Sequence, residues 1–214
     1  MIRILVVIGT PLAGTLNHAL ARAYIDAARA GNAEVDVIDL AVDSVPSHPV
    51  QRGTLRMPRD ENDLALGSAV EDYITRVEAA DHLVFFFPQW WGTTPAALKA
   101  WIDAVFVSGF AYQYAAKGRG WVKLLAGRTA RIVMTMDSPG VWNRLMYRDA
   151  AIAAMKNATL WFCGVKTIGV TRVAEVRHKD TASLTKSITK LGTFGAADAA
   201  RTPTSRPAKA QVAG

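Results

Sequence analysis

Residues 83–112 read LVFFFPQWWGTTPAALKAWIDAVFVSGFAY. The opening run, Leu83 to Phe87, is unbroken and apolar, as a strand buried on both faces requires. Pro88 interrupts it, and Gln89-Trp90-Trp91-Gly92 follows at its carboxyl end. Thr94-Pro95 then marks a helix start, with Thr94 as the cap and Pro95 in the first turn. Leu98, Trp101, Ile102, Val105 and Phe106 recur at three- and four-residue steps, a single apolar stripe that suits a core or a subunit interface. A buried strand that ends in aromatics and feeds a helix is the repeating unit of an open α/β sheet. Such sheets hold ligands outside the carboxyl ends of their strands.

The same unit recurs on either side. Residues 3–8 (RILVVI) form a short apolar run that ends in Gly-Thr-Pro, and Leu16, Ala19, Leu20, Ala23, Tyr24 and Ala27 give the following segment one apolar helical face. Gly31-Asn32 stops that helix, and Glu34–Leu40 supplies a second strand, so the chain opens as a βαβ unit. Val70, Tyr73, Ile74 and Val77 mark a helix before the strand at His82–Phe87. Further on, Gln113–Leu125 reads as a long loop, Thr129–Met134 as a strand, Tyr147 to Ala158 as an alanine-rich helix, Trp161–Val170 as a fifth strand, and Thr181–Leu191 as a last helix. Strands alternating with helices, joined by right-handed crossovers, predict an α/β fold: a doubly wound five-stranded parallel sheet with helices on both faces. Residues 1–195 are predicted to form one domain. Residues 196–214, rich in Ala, Pro, Ser and Thr, are predicted to be a disordered tail.

Composition narrows the function classes. The net charge is +7, but Arg201, Arg206 and Lys209 contribute three of those charges near the end of the chain, and no basic stripe is interleaved with aromatics. A nucleic-acid partner is therefore not expected. No apolar run approaches the roughly 20 residues of a membrane span, and the apolar residues after Arg3 are too few for a secretory leader. Cys163 is the single cysteine, so no internal disulfide is available, and a cytoplasmic location is expected. Its apolar neighbours predict an inert buried thiol. His18, His48, His82 and His178 are scattered without metal-ligand spacing, so no metal site is expected, and His82 reads as a surface or capping residue.

Two segments carry candidate chemistry. The loop Gly9-Thr10-Pro11-Leu12-Ala13-Gly14-Thr15 has the outline of a nucleotide phosphate loop, but Thr15 stands where the lysine would be. What remains is a helix N-terminus with free N–H groups, to which Thr10, Thr15 and Asn17 add neutral donors. That combination suits a phosphate held without lysine. The second segment is Gln89-Trp90-Trp91-Gly92, where backbone groups can address a polar ring edge while an indole forms a flat wall. Adjacent tryptophans on extended backbone point in opposite directions, so one of them is expected to face a ligand.

FFFPQWWGTTPAALKAWIDAVFVSGFAY resembles the segment shared by the NAD(P)H:quinone reductases, the DT-diaphorase type of the flavodoxin-like superfamily. These share a pattern of the form F-x-F-P-x-x-W-x-x-x-P-A-x-L-K-x-W-x-D-x-V-F, ending in G-F-A-Y. GTPLAGTLNHALARAY and the FCG at 162–164 extend the resemblance over residues 2 to about 190. It implies a flavodoxin-like fold and an NAD(P)H-dependent flavin oxidoreductase that reduces quinones or similar electron-poor acceptors by a ping-pong, two-electron route. It also implies a homodimer and NADPH or NADH as hydride donor. Carried over by position, Thr15, Leu16, Asn17 and His18 contact the flavin phosphate, and Pro88, Gln89, Trp90 and Trp91 border the ribityl chain and ring.

The third contact region of such proteins carries T-T-G-G and a nearby tyrosine. Here it reads Thr135-Met136-Asp137-Ser138-Pro139-Gly140, and the glycine pair is absent. Thr135, Met136, Asp137 and Ser138 remain the expected cofactor contacts. Trp142, Asn143 and Tyr147 stand as substitutes for the tyrosine, with Trp142 and Tyr147 the candidate catalytic residues. Asp137 would disfavour an anionic reduced ring unless it faces solvent or another partner. FAD is preferred over FMN because the irregular connection 41–67, with Arg52, Arg56, Met57 and Pro58, is long enough to cover an adenine. Two other readings are a flavodoxin-type electron carrier, which the basic charge and tryptophan-lined site count against, and a regulatory flavoprotein subunit of a membrane transporter.

Overall fold

A computed structural model describes residues 1–43, 49, 51–115 and 118–206. Five parallel strands, β1 (Arg3–Ile8), β2 (Glu34–Asp39), β3 (His82–Pro88), β6 (Thr129–Thr135) and β7 (Lys166–Val173), lie in the order β2-β1-β3-β6-β7. Register pairs Val6 with Val84, Phe86 with Val133, and Pro88 with Thr135. The three middle strands therefore deliver their carboxyl ends side by side. This is the doubly wound five-stranded sheet that the alternation predicts.

Side-chain alternation along β3 divides the core. Val84 and Phe86 pack with Leu20, Tyr24, Ile25 and Leu191, which come from α1 (Leu16–Ala30) and α6 (Thr181–Ala199). Leu83, Phe85 and Phe87 pack on the opposite face with Tyr73 and Val77 of α2 (Ser68–Ala79) and with Leu98 and Trp101 of α3 (Ala96–Val105). Trp101 is fully buried and meets Tyr73, Phe85 and Phe106 edge to face at 5.9–6.3 Å. The predicted stripe of α3 is thus core. That helix is entered from Pro95 without a side-chain cap bond, so Thr94 does not cap it.

The structure corrects several sequence readings. Gln113–Leu125 is not simply a loop: β4 (Tyr112–Tyr114) and β5 (Trp121–Lys123) pair as an antiparallel ribbon. The segment before β6's partner strand is helical further than expected. A short α4 (Gly140–Leu145) precedes α5 (Ala150–Ala153), which continues as a π-helical stretch over Ala154–Trp161. Trp161 therefore belongs to a helix, and the fifth strand runs over 166–173 rather than 161–170. The apolar residues 160–165 misled because they cover the ribbon: Trp121 stacks on Phe162 at 4.7 Å, its indole N–H donates to the Phe162 carbonyl at 2.8 Å, and Lys123 lies 3.5 Å from the Trp161 ring. Gly164 turns the chain at φ +94, where a Cβ would stand only 2.9 Å from the Ala126 backbone nitrogen.

His82 is not on the surface. It is fully buried, 2.7 Å from Thr129 Oγ1 and 3.3 Å from Asp198. The boundary expected at 195 also differs, because α6 continues to Ala199 and Arg206 donates to the carbonyls of Glu78, Ala79 and Ala80. The remainder of the predicted tail, 207–214, lies outside the described residues, as do Pro46, His48 and Lys117. No helix among the described residues is long and apolar enough to cross a membrane.

Candidate functional site

Three loops meet at the carboxyl ends of β1, β3 and β6, and Thr135 joins them. Its hydroxyl accepts a hydrogen bond from Asn17 Nδ2 at 3.0 Å, and its carbonyl accepts one from the Gln89 N–H at 2.7 Å. One residue at the end of β6 thus ties the phosphate-type loop to the tryptophan loop. Thr10 is buried at the floor of the first loop, where its Oγ1 accepts the Leu12 N–H at 3.3 Å.

Gly14 stands at φ +70, and nothing lies within 4 Å of where a Cβ would project. The loop is open there. Asn17 is 3 % exposed, and its Oδ1 has no partner among the described residues. Inverting the amide costs Thr135 nothing, since its hydroxyl can donate to Oδ1 as readily as it accepts from Nδ2. The freed NH2 then becomes a buried donor at the start of α1, beside the backbone N–H groups and positive pole of that helix. These residues fit a phosphate group.

His18 plays a different part from the one expected of it. Its Nδ1 lies 3.2 Å from the Thr15 N–H, which can only donate, so Nδ1 accepts and Nε2 carries the proton. Nε2 then donates to Asp39 at the end of β2, 3.2 Å from both carboxylate oxygens. The ring braces Thr15 rather than offering a donor to the loop. Leu16 likewise packs its side chain against the α1–α6 core, leaving only its backbone for a ligand.

The tryptophan loop is a tight turn. Trp91 and Gly92 both occupy the left-handed region, at φ +50 and +76, between Trp90 and Thr93. Trp91 is fully exposed, whereas Trp90 is 38 % exposed. The two indoles are thus presented differently, though by a left-handed turn at Trp91 and not by the extended backbone the sequence reading assumed. Tyr147 packs its ring 3.5 Å from the Cβ position of Gly92. Val141, Trp142, Leu145 and Met146 are also exposed.

In the third loop, Met136 is buried in the core, its N–H bonded to the Val173 carbonyl at 2.9 Å, so its side chain is withdrawn from the strand ends. Asp137 turns outward and pairs with Arg177 at 3.3 Å, which removes the concern about a carboxylate beside a reduced ring. Ser138 donates to Gln89 Oε1 at 3.2 Å, and Gln89 Nε2 donates to Asn143 Oδ1. Asn143, which had been only one of three substitutes for a tyrosine, is fully buried, while Trp142 and Tyr147 are about half exposed. Asp149 and Arg172, which carried no sequence signal, stand behind Asn143. Cys163 is buried outside these loops, and burial pushes its thiol up to about 12, as an inert cysteine requires. Among the described residues no group of His, Cys, Asp and Glu could hold a metal ion.

A doubly wound sheet whose polar groups converge at the ends of its central strands defines the class, an open α/β domain with its ligand site at the strand ends. The chain belongs to the flavodoxin-like fold family, whose sequence profile matches residues 2–193. It is 30% identical over 188 residues to an FMN-dependent NADH:quinone oxidoreductase of Ruegeria pomeroyi, covering 84% of this chain and 89% of that one. It is 29% identical over 187 residues to NAD(P)H dehydrogenase (quinone) 1 of Cavia porcellus, covering 78% of this chain and 66% of that one. An NAD(P)H:quinone oxidoreductase from Methanothermobacter marburgensis superposes with a TM-score of 0.76 over 91% of this chain and 98% of its own, and at 19% identity that likeness concerns the fold alone.

Proposed function

We propose that the protein is an NAD(P)H-dependent flavin oxidoreductase that reduces quinones or similar electron-poor acceptors by two electrons. The observation that carries this is the junction at Thr135, which fixes a neutral phosphate-binding loop against an aromatic and amide-lined loop. A flavin needs both, one for its phosphate and one for its ring. The activity for which the Ruegeria pomeroyi relative is named supports the same reading.

In this reading Thr10, Thr15, the backbone of Leu16 and His18, and Asn17 hold the phosphate. Pro88, Gln89, Trp90 and Trp91 border the ring, together with Thr135, Ser138 and the backbone of Met136 and Asp137. A bound flavin supplies the hydride chemistry, and the protein supplies orientation and electrostatics. Trp91, Trp142 and Tyr147 form the apolar wall against which a nicotinamide or quinone ring can lie, and they exclude water from its face.

FMN is the favoured flavin. The preference for FAD rested on residues 41–67; of these, the Met57 N–H donates to the Ser108 carbonyl, and Arg52, Leu55 and Arg56 line a cavity with Tyr112 and Tyr114. The relative matched over 89% of its length is named as FMN-dependent. The exposed surface of Trp91, Val141, Trp142, Leu145 and Met146 supports a homodimer, and the single cysteine supports a cytoplasmic location. The electron-carrier and transporter-subunit readings gain nothing from the relatives' names.

Steady-state NADPH and NADH oxidation with a soluble quinone tests the activity, and turnover no faster than that of free flavin overturns it. Mass measurement of the extracted cofactor separates FMN from FAD, and sedimentation velocity tests the dimer.

A further inference from the structure

Five side chains drawn from the ends of β3 and β7 and the segment between β6 and α5 form one unbroken line. Ser138 Oγ donates to Gln89 Oε1 at 3.2 Å, Gln89 Nε2 donates to Asn143 Oδ1, and Asn143 Nδ2 donates to Asp149 Oδ1 at 2.5 Å. Arg172 grips the same carboxylate through Nε at 2.9 Å and through Nη2. A guanidinium only donates and an ionised carboxylate only accepts. Asn143 must therefore turn its NH2 to Asp149, which leaves its carbonyl for Gln89. Gln89 must in turn spend one N–H there, which leaves its carbonyl for Ser138. The polarity of the whole line is fixed at its charged end.

The backbone is bent to make this possible. Arg148 and Asp149 lie consecutively at φ +50 and +55, and the Asp149 N–H returns to the Asn143 carbonyl at 3.1 Å. Left-handed residues other than glycine cost about 1–2 kcal/mol each, and they persist where the surroundings hold them. Asn143, fully buried between the two partners, is the anchor they hold.

We propose that the Asp149–Arg172 pair is a positioning device which, through Asn143, fixes the side-chain amide of Gln89 for the flavin ring, an inference that rests on the flavin reading above. The amide retains one lone pair on Oε1 and one hydrogen on Nε2. That combination complements an imide edge, in which an N–H lies beside a carbonyl. The pair also balances its own charge. Asp149 without Arg172 would oppose electron uptake by a neighbouring ring, and Arg172 without Asp149 would favour it.

Asp149→Asn, Arg172→Met and Arg172→Lys, made in the full chain and loaded with FMN, separate these effects. Flavin affinity is read by fluorescence titration and midpoint potential by spectroelectrochemistry, with circular dichroism checking the fold. Asp149→Asn is expected to weaken FMN about tenfold, the worth of roughly one positioned hydrogen bond, and to raise the potential. Arg172→Met is expected to weaken FMN similarly and to lower the potential. Arg172→Lys keeps the charge, so it is expected to fold, to hold the wild-type potential, and still to lose affinity because it cannot grip the carboxylate with two hydrogen bonds. Shifts of the same sign in the first two variants, or wild-type affinity in folded Arg172→Lys, overturn the proposal while leaving the flavin reading intact. A wild-type chain that binds no flavin overturns both.

Discussion

Trp90 and Thr93 exchange both of their backbone hydrogen bonds, each at 2.9 Å, and so close a two-residue turn with Trp91 and Gly92 at its tip. Turns of this kind need positive φ at both central positions, and their usual occupants are asparagine and glycine. Gly92 meets that demand without strain. Trp91 does not, and it projects its whole ring outward from the strained position. Backbone strain at an exposed bulky residue is a mark of function.

Replacing Trp91 separates the ring from the strain. Trp91→Ala removes the indole and keeps the unfavourable φ, whereas Trp91→Gly removes both. Left-handed geometry costs about 1–2 kcal/mol for a residue with a Cβ, and glycine's extra unfolded-state freedom takes back roughly 0.5–1 kcal/mol. Trp91→Gly is therefore expected to be about 1 kcal/mol more stable than Trp91→Ala in urea denaturation, while both lose quinone turnover alike. Equal stabilities would show that the turn carries no strain.

Asp198 ties α6 to the sheet from beneath. It accepts from Arg131 Nε at 2.7 Å and Nη2 at 3.0 Å and from the Tyr24 hydroxyl at 2.9 Å, and it lies 3.3 Å from His82. Burial pushes its carboxyl up, but the hydrogen bonds and charges of His82 and Arg131 outweigh that and hold it well below the usual carboxylate range. The folded carboxyl thus titrates below the unfolded one, and the unfolded chain binds more protons as the pH falls between the two. The stabilisation is complete above about pH 5 and is lost as the pH drops toward the folded value. Asp198→Asn is expected to cost about 3 kcal/mol at pH 7, because Arg131 is left buried without its counter-charge. In urea denaturation the gap between wild type and variant should shrink at pH 4 and below. A gap that stays constant with pH would mean the carboxylate is not the stabilising species.

Two glycines of α6 make an internal control for its packing on α1. A Cβ at Gly195 would overlap the Tyr24 carbonyl oxygen and stand 3.0 Å from the Tyr24 carbonyl carbon and 3.2 Å from the Ala28 nitrogen, all backbone atoms that cannot rotate aside. A Cβ at Gly192 would meet only ordinary contacts, 3.6 Å from the Ala23 oxygen and 3.9 Å from the Ala27 Cβ. Gly192→Ala should be neutral or stabilise by up to about 1 kcal/mol through helix propensity. Gly195→Ala should destabilise by about 1–3 kcal/mol through forced separation of the helices. Thermal melts of the two variants moving in the same direction would contradict this packing.

Local patterns were legible in the sequence, and long-range polar geometry was not. The apolar run before Pro88, the stripe from Leu98 to Phe106 and the helix behind Thr15 each announce themselves within a dozen residues, because burial imposes its period directly on the chain. The parallel sheet follows from their alternation. The apolar segment 160–165 could not be assigned the same way, since a helix end under an aromatic ribbon and a buried strand share one composition. His82 looked peripheral because its partner, Asp198, is more than a hundred residues away. Asp149 and Arg172, 23 residues apart on different elements, follow no local period, and the left-handed turn at 148–149 contains no glycine to betray it. Sequence placed Asn143 only among three substitutes, and the fold picked it out by burying it between Gln89 and Asp149.

Asn17 offers the most direct test of the phosphate loop. Its amide is buried, one end holds Thr135 Oγ1, and the other end has no partner among the described residues. If that free end serves the flavin phosphate, Asn17→Ala should weaken FMN about tenfold through loss of one charge-assisted hydrogen bond. Asn17→Asp is nearly isosteric but places a carboxylate, which can only accept, against a phosphate that also only accepts. It should weaken FMN well beyond the alanine variant. Riboflavin has the same ring and ribityl chain without the phosphate, so its affinity should change little in either variant. Fluorescence titration with both ligands reads the difference, and equal losses for FMN and riboflavin would move the role of Asn17 from the phosphate to the general integrity of the loop.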